Sequence, residues 1–163
     1  MYPERNMPGI RKTFLLMAVV GLAGWLFAGD PTIGTWKLNA GKTRETASGG
    51  AISESSTVKI EAQGNGIKFR WDAVKPDGRA IHGEFAAKYD GKDYPVTGDP
   101  DSDTVALRKI DANTVEYLFK REGQVVSSEC AVVSIDGKTI TLTVKGLDSK
   151  GKPYEAVVLY DRQ

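Results

Sequence analysis

His82 is the only histidine of the 163-residue chain, and Glu84 follows two positions later on the same face of an extended stretch. A histidine steered by a carboxylate is the beginning of a nucleophilic triad. The rest of such a triad is missing. No serine stands in a Gly-x-Ser-x-Gly setting, and Cys130, the single cysteine, has no neighbour that would activate it. The pair therefore reads more simply as a polar, outward strand position, and the chain as non-catalytic. Asp99, Asp101 and Asp103 place three carboxylates at alternate positions, a pattern that hard cations favour. The calcium-loop spacing then fails, because Thr104 stands where glycine is needed and Ile110 where the bidentate glutamate belongs. These aspartates read as caps of a surface loop stiffened by Pro100. One histidine and one cysteine far apart do not make a zinc site, so no metal and no cofactor is expected.

The elements that position these groups are marked by turn chemistry at short intervals. Gly64-Asn65-Gly66, Pro76-Asp77-Gly78, Asp90-Gly91, Asp111-Ala112-Asn113, Glu122-Gly123, Asp136-Gly137 and Ser149-Lys150-Gly151 punctuate the chain. Glycine and asparagine tolerate positive φ and aspartate bonds its own backbone, as tight hairpins require. Between the marks apolar and polar residues alternate: Val58, Ile60 and Ala62 against Lys59 and Glu61; Ile67, Phe69, Trp71 and Ala73 against Lys68, Arg70 and Asp72. Val115, Tyr117 and Phe119, then Ile140, Leu142 and Val144, repeat the pattern. It predicts nine or ten strands, at 33–39, 54–63, 66–74, 79–89, 93–97, 103–110, 113–121, 124–135, 138–147 and 153–161. Helical periodicity is confined to the N-terminal segment.

Residues 14–29 form an unbroken apolar run behind Arg11 and Lys12, followed by a hydrophilic chain. A basic flank, a short apolar segment and the small residues Ala28 and Gly29 are the layout of a secretory signal, although Leu26 is larger than a peptidase prefers. The run falls short of the roughly 20 residues of a spanning helix, so a retained anchor is the weaker reading. The expected organisation is a signal peptide at 1–29 and one domain at 30–163, secreted or periplasmic. The whole chain has a formal charge of +1, and losing Glu4, Arg5, Arg11 and Lys12 leaves it near neutral with signs interspersed. That balance offers no footprint for nucleic acid or an anionic membrane surface. A lone Cys130 excludes an intramolecular disulfide, so an apolar core has to hold the fold.

Hairpin-linked strands pair with their sequence neighbours. A long open meander would leave two exposed edges, whereas closing it removes them. An all-β, up-and-down antiparallel barrel of 8–10 strands is expected, with a two-sheet sandwich as its rival. Each strand then carries an inward apolar row and an outward polar row.

Gly34-Thr35-Trp36 opens the first of these strands. A Gly-x-Trp there, followed only by hairpin-connected strands, resembles the lipocalin and fatty-acid-binding-protein superfamily. With Tyr89–Gly98 and Asp136-Gly137-Lys138-Thr139, the chain looks more closely like small secreted bacterial lipocalin-like proteins of unassigned role. The resemblance implies that Trp36 closes one end of the barrel with Arg162 packed across it. It also implies that Arg70 and Arg108 are candidates for meeting a carboxylate head group. It departs from both relatives in leaving no room for a helix pair between the first two strands and no helix after the last.

The inward aromatics Phe69, Trp71, Phe85, Tyr117, Phe119, Tyr154 and Tyr160 either border a largely apolar cavity or fill a solid core, and interior volume separates the two. The leading expectation is an exported, non-catalytic barrel that binds a small apolar or amphipathic molecule through these residues and Arg108. The alternative is a protein-interaction or inhibitor module acting through its outer face and loops.

Overall fold

The computed structural model describes residues 29–45, 53–147 and 151–163. The expected signal (through residue 28), the middle of the 40–53 stretch where helices were held to have no room, and residues 149 and 150 of the last hairpin turn lie outside the described residues. The strands are β1 (Gly34–Leu38), β2 (Arg44–Glu45), β3 (Ser55–Gln63), β4 (Gly66–Val74), β5 (Ala80–Lys88) and β6 (Asp90–Thr97). They continue as β7 (Thr104–Lys109), β8 (Thr114–Arg121), β9 (Gln124–Val133), β10 (Thr139–Leu147) and β11 (Pro153–Arg162).

From β3 to β11 every strand pairs antiparallel with the next, and β1 pairs with β3 on one side and β11 on the other. First therefore meets last: Trp36, Lys37 and Leu38 lie opposite Arg162, Asp161 and Tyr160. A sandwich would leave that seam unmade. The two-residue β2 continues β1 along the same edge, with Arg44 opposite Val157 and Glu45 opposite Ala156. Counting β1 and β2 as one interrupted strand, the molecule is a closed, ten-stranded, up-and-down antiparallel barrel.

The hairpins follow from local chemistry. At Glu122-Gly123 both residues have positive φ (50° and 77°), the two-residue geometry whose twist matches the flanking strands. Asp103 accepts the Glu122 N–H at 2.7 Å and pins that turn to its neighbour. Alternation is cleanest in β5, where Ile81, Gly83, Phe85 and Ala87 face in and His82, Glu84 and Ala86 face out. The outer rows of β3 to β5 form a charged lattice: Lys59–Glu61 at 3.1 Å, Arg70–Glu61 at 3.1 Å, Arg70–Glu84 at 3.1 Å and Lys68–Glu84 at 3.3 Å. That exterior faces water, the reverse of a transmembrane barrel with its apolar outer band.

Because the chain runs up and down, its turns fall alternately at two ends. The β3–β4, β5–β6, β7–β8 and β9–β10 turns share one end with residues 30–33. The β4–β5, β6–β7, β8–β9 and β10–β11 turns share the other. The main core lies towards the first end, where Trp36, Ile60, Ile67, Phe85, Val105, Leu107, Val115, Val133 and Ile140 pack together. Towards the second end the described residues leave the interior open.

Candidate functional site

The packed end is a built plug. Trp36 is fully buried, and its indole N–H donates to the Thr32 carbonyl at 2.8 Å. The Arg162 guanidinium lies 4.1 Å from the Trp36 ring centre and donates to the carbonyls of Gly137 (2.6 Å), Ile33 (2.7 Å) and Pro31 (2.8 Å). One side chain thus ties the segment before β1, the β9–β10 turn and the last strand together. Its stacking on the indole adds roughly 0.5–2 kcal/mol.

Asp30 extends the plug. It accepts from the Tyr89 hydroxyl at 2.5 Å and from the Thr32 amide and hydroxyl at 3.0 and 2.7 Å, with Lys109 at 3.5 Å. Burial pushes the Asp30 carboxyl up, but these hydrogen bonds and the Lys109 charge outweigh it and hold the carboxyl below its ordinary range. Burial and the Asp30 bond push the Tyr89 phenol well above its usual value.

Above the plug lies a cavity of about 820 Å³, with Trp36 at its floor. That volume is in the range of small-molecule sites, roughly 300–1,000 Å³. Phe69, Trp71, Tyr117 and Phe119 border it on the β4–β8 side; Leu142, Val144, Tyr154, Val158 and Tyr160 border it on the β10–β11 side. Phe69 meets Trp71 and Tyr117 edge to face, each at 5.9 Å between ring centres. The Tyr160 hydroxyl donates to Ser56 at 3.3 Å, which places a polar pair in an apolar wall.

Glycine keeps two of these rings flat against the sheet. Gly83 lies directly across from Trp71, and a Cβ there would run into the indole. Gly146 lies across from Tyr154, and a Cβ there would stand 2.9 Å from its ring. Each ring lies over the glycine opposite.

Six of the eight expected ligand residues border this space: Phe69, Trp71, Tyr117, Phe119, Tyr154 and Tyr160. Phe85 and Arg108 do not. Phe85 is 3% exposed and stacked on Phe69 at 4.9 Å, so it backs the aromatic wall from within the core. Arg108 follows the fully buried Leu107, and strand alternation turns it outward between Asp90 and Glu116 on the neighbouring strands. Arg70 likewise faces out and is held by Glu61 and Glu84. Neither arginine can meet a head group inside the barrel.

The sequence reading passed over Glu129. It lies midway along β9, opposite Tyr117 on β8 and Val144 on β10, and borders the cavity. Ser127 donates to it at a long 3.4 Å. Burial, set against that weak bond, pushes its carboxyl up to about 7. The inward row Val133, Ala131, Glu129, Ser127 carries the signal, since alternation alone turns Glu129 towards the interior. Cys130 itself is half-buried on the outward row, across from Thr143 and Glu116.

The mouth is ringed by charged side chains held by local partners. Arg79 pairs with Asp77 at 2.6 Å, and Arg121 donates to the Pro100 carbonyl at 2.5 Å. Asp99 accepts from the Asp101 amide at 3.0 Å and the Ser102 hydroxyl at 2.5 Å. The alternate aspartates are thus loop caps, and no group of three metal-ligating side chains occurs among the described residues. His82 is exposed on the outer face of β5, and its carboxylate partner is Asp72 across the β4–β5 pair, not Glu84, which Arg70 and Lys68 engage. The sheet separates it from the cavity.

No protein family and no curated protein matches the sequence. Among solved structures, the chain is similar to zebrafish ileal bile-acid-binding protein complexed with cholic acid: 11% identity, TM-score 0.46, covering 82% of this chain and 99% of that one. It is also similar to the siderocalin Ex-FABP, described as functioning through dual ligand specificities: 12% identity, TM-score 0.38, covering 82% and 71%. The closed barrel described above rests on strand pairing, independently of these likenesses.

Proposed function

We propose that this protein binds a small apolar or amphipathic molecule inside its barrel and performs no covalent chemistry on it. The observation that carries this reading is the cavity of about 820 Å³, plugged at one end by Trp36 and Arg162, left open at the other by the described residues and bordered by aromatics. A ligand burying about 300 Å² of apolar surface there gains roughly 7 kcal/mol before the costs of immobilisation. Ser56, Tyr160 and Glu129 supply the few polar contacts that fix orientation.

Native mass spectrometry of the purified protein and titration with the neutral fluorophore N-phenyl-1-naphthylamine test this directly. A lipid-sized adduct, or saturable probe fluorescence with one site per chain, is expected. A barrel that carries no adduct and gives no saturable signal overturns the proposal.

We also propose that the protein is exported and cleaved after Ala28 or Gly29. Among the described residues the first tied into the plug is Asp30, immediately after the apolar run, so removing 1–29 costs the barrel none of the contacts described above. The intact mass of protein recovered from the extracytoplasmic fraction checks this; an uncleaved chain in the membrane fraction refutes it.

A further inference from the structure

We propose that the cavity selects amphiphiles whose head group is a protonated amine, held by Glu129, over those bearing a carboxylate. This rests on the ligand-binding reading above and adds the head-group class to it. Among the described residues that border the cavity, the charged ones are Lys75, Asp77, Arg79, Asp99, Asp101, Arg121 and Glu129. All but Glu129 belong to the turns at the mouth or to strand residues that adjoin them. Glu129 alone stands mid-barrel, with Tyr117 and Val144 on either side. The described interior below the mouth therefore has a negative group and no positive one. The arginines that would suit a carboxylate head group, Arg70 and Arg108, are on the other side of the sheet.

Electrostatics then sorts ligands by head group. A carboxylate inserted head-first meets a like charge in a poorly solvated space. Inserted tail-first, it covers Glu129 with hydrocarbon and leaves that charge unpaired. An ammonium head inserted to mid-barrel avoids both costs, donating charge-assisted hydrogen bonds to Glu129 while its chain lies along the Phe69–Trp71–Phe119 wall.

Burial is the main cause of the carboxyl's rise to about 7. The titratable and charged groups around it are Tyr117 on β8, Tyr154 and Tyr160 on β11, Lys75 after β4 and Asp99 in the β6–β7 turn. Burial raises Tyr117 and Tyr160 above their ordinary values, and the Lys75 and Asp99 charges oppose each other at Glu129. Glu129 is thus placed to change charge near neutrality.

Competition for bound N-phenyl-1-naphthylamine by dodecylammonium, dodecanol and dodecanoate provides the test. At about pH 8 dodecylammonium should compete at least about tenfold better than dodecanoate, the ratio that one charge-assisted hydrogen bond supplies, with dodecanol between them. Glu129→Gln should bring dodecylammonium and dodecanol to within about threefold of each other. The unaltered protein should lose the same preference between pH 8 and pH 5, a range in which neither of those two probes changes charge, so the test survives a poorly folding variant. Equal or better competition by dodecanoate, or a preference that persists in Glu129→Gln, overturns the inference while leaving a binding barrel standing. Failure of the fluorophore and of all three chains to bind overturns the cavity reading, and the inference with it.

Discussion

Replacing Glu129 by glutamine should stabilise the protein above neutral pH and change little in acid. Burial moves this carboxyl from its ordinary 4.5 to about 7 in the folded barrel. The folded state therefore holds the proton more tightly than the unfolded chain does. Below about pH 4.5 both states are protonated and Glu129 contributes no penalty. Between about 4.5 and 7 the unfolded chain ionises while the barrel does not, so stability falls as pH rises. Above about 7 both are ionised and the penalty is constant at about 3 kcal/mol, trimmed to about 2 because Glu129 is only half-buried. Glutamine keeps the shape and hydrogen-bonding capacity without the charge. Urea unfolding of both proteins from pH 4 to 9 gives a difference curve in which all other titrations cancel. That curve should rise from near zero in acid to about 2 kcal/mol in favour of the variant. A flat curve, or one favouring the native protein at high pH, refutes the account of a carboxylate raised by burial.

The remaining predictions follow from the plug, the wall and the outer face. Arg162→Ala removes three bonds to carbonyls and the indole contact; it should cost about 3 kcal/mol or more in urea unfolding, with Arg162→Lys recovering less than half. Arg108→Ala, on the exposed outer row, should stay within about 0.5 kcal/mol and leave probe affinity unchanged. Gly83→Ala pushes a methyl group into the Trp71 ring; it should cost about 1–3 kcal/mol, shift the tryptophan emission and weaken probe binding. His82→Ala breaks only an exposed pair with Asp72; its effect on stability should be below about 1 kcal/mol, with binding unaltered. A large loss of binding there would mean that the outer face matters to the site.

The strands and their turns are legible in the chain because both are local. Alternation fixes which residues share a face, and Asp-Gly or Glu-Gly pairs mark where the direction reverses. The predicted runs match the observed strands closely, apart from the two-residue β2. The β6 strand begins at Asp90 and not at 93, because a bulge between Asp90 and Asp93 lets the turn residues join the ladder. Trp36 and Arg162 were legible as partners through a resemblance, and the structure places them opposite each other across the closing seam.

Face assignment failed where it was borrowed and not counted. Arg108 follows Leu107, and alternation alone would have turned it out; the expectation of a carboxylate partner drew it inward. Glu129 shares its row with Ala131 and Val133, so its direction was readable from the same rule. A charged residue on a wall row gave no sign of tolerance from sequence, because its cost depends on how much space and water lie in front of it.

By itself, then, the sequence determined an all-β chain with inward apolar rows, tight hairpins and no covalent staple, since each of these is set within a few residues by sterics and hydrogen bonding. Only the tertiary structure decided that β1 closes on β11, that Gly83 and Gly146 lie against their partner rings, and that a space with Glu129 midway up its wall remains above the plug. Those are properties of how side chains from distant strands fill, or fail to fill, a shared volume, and no local pattern encodes a volume.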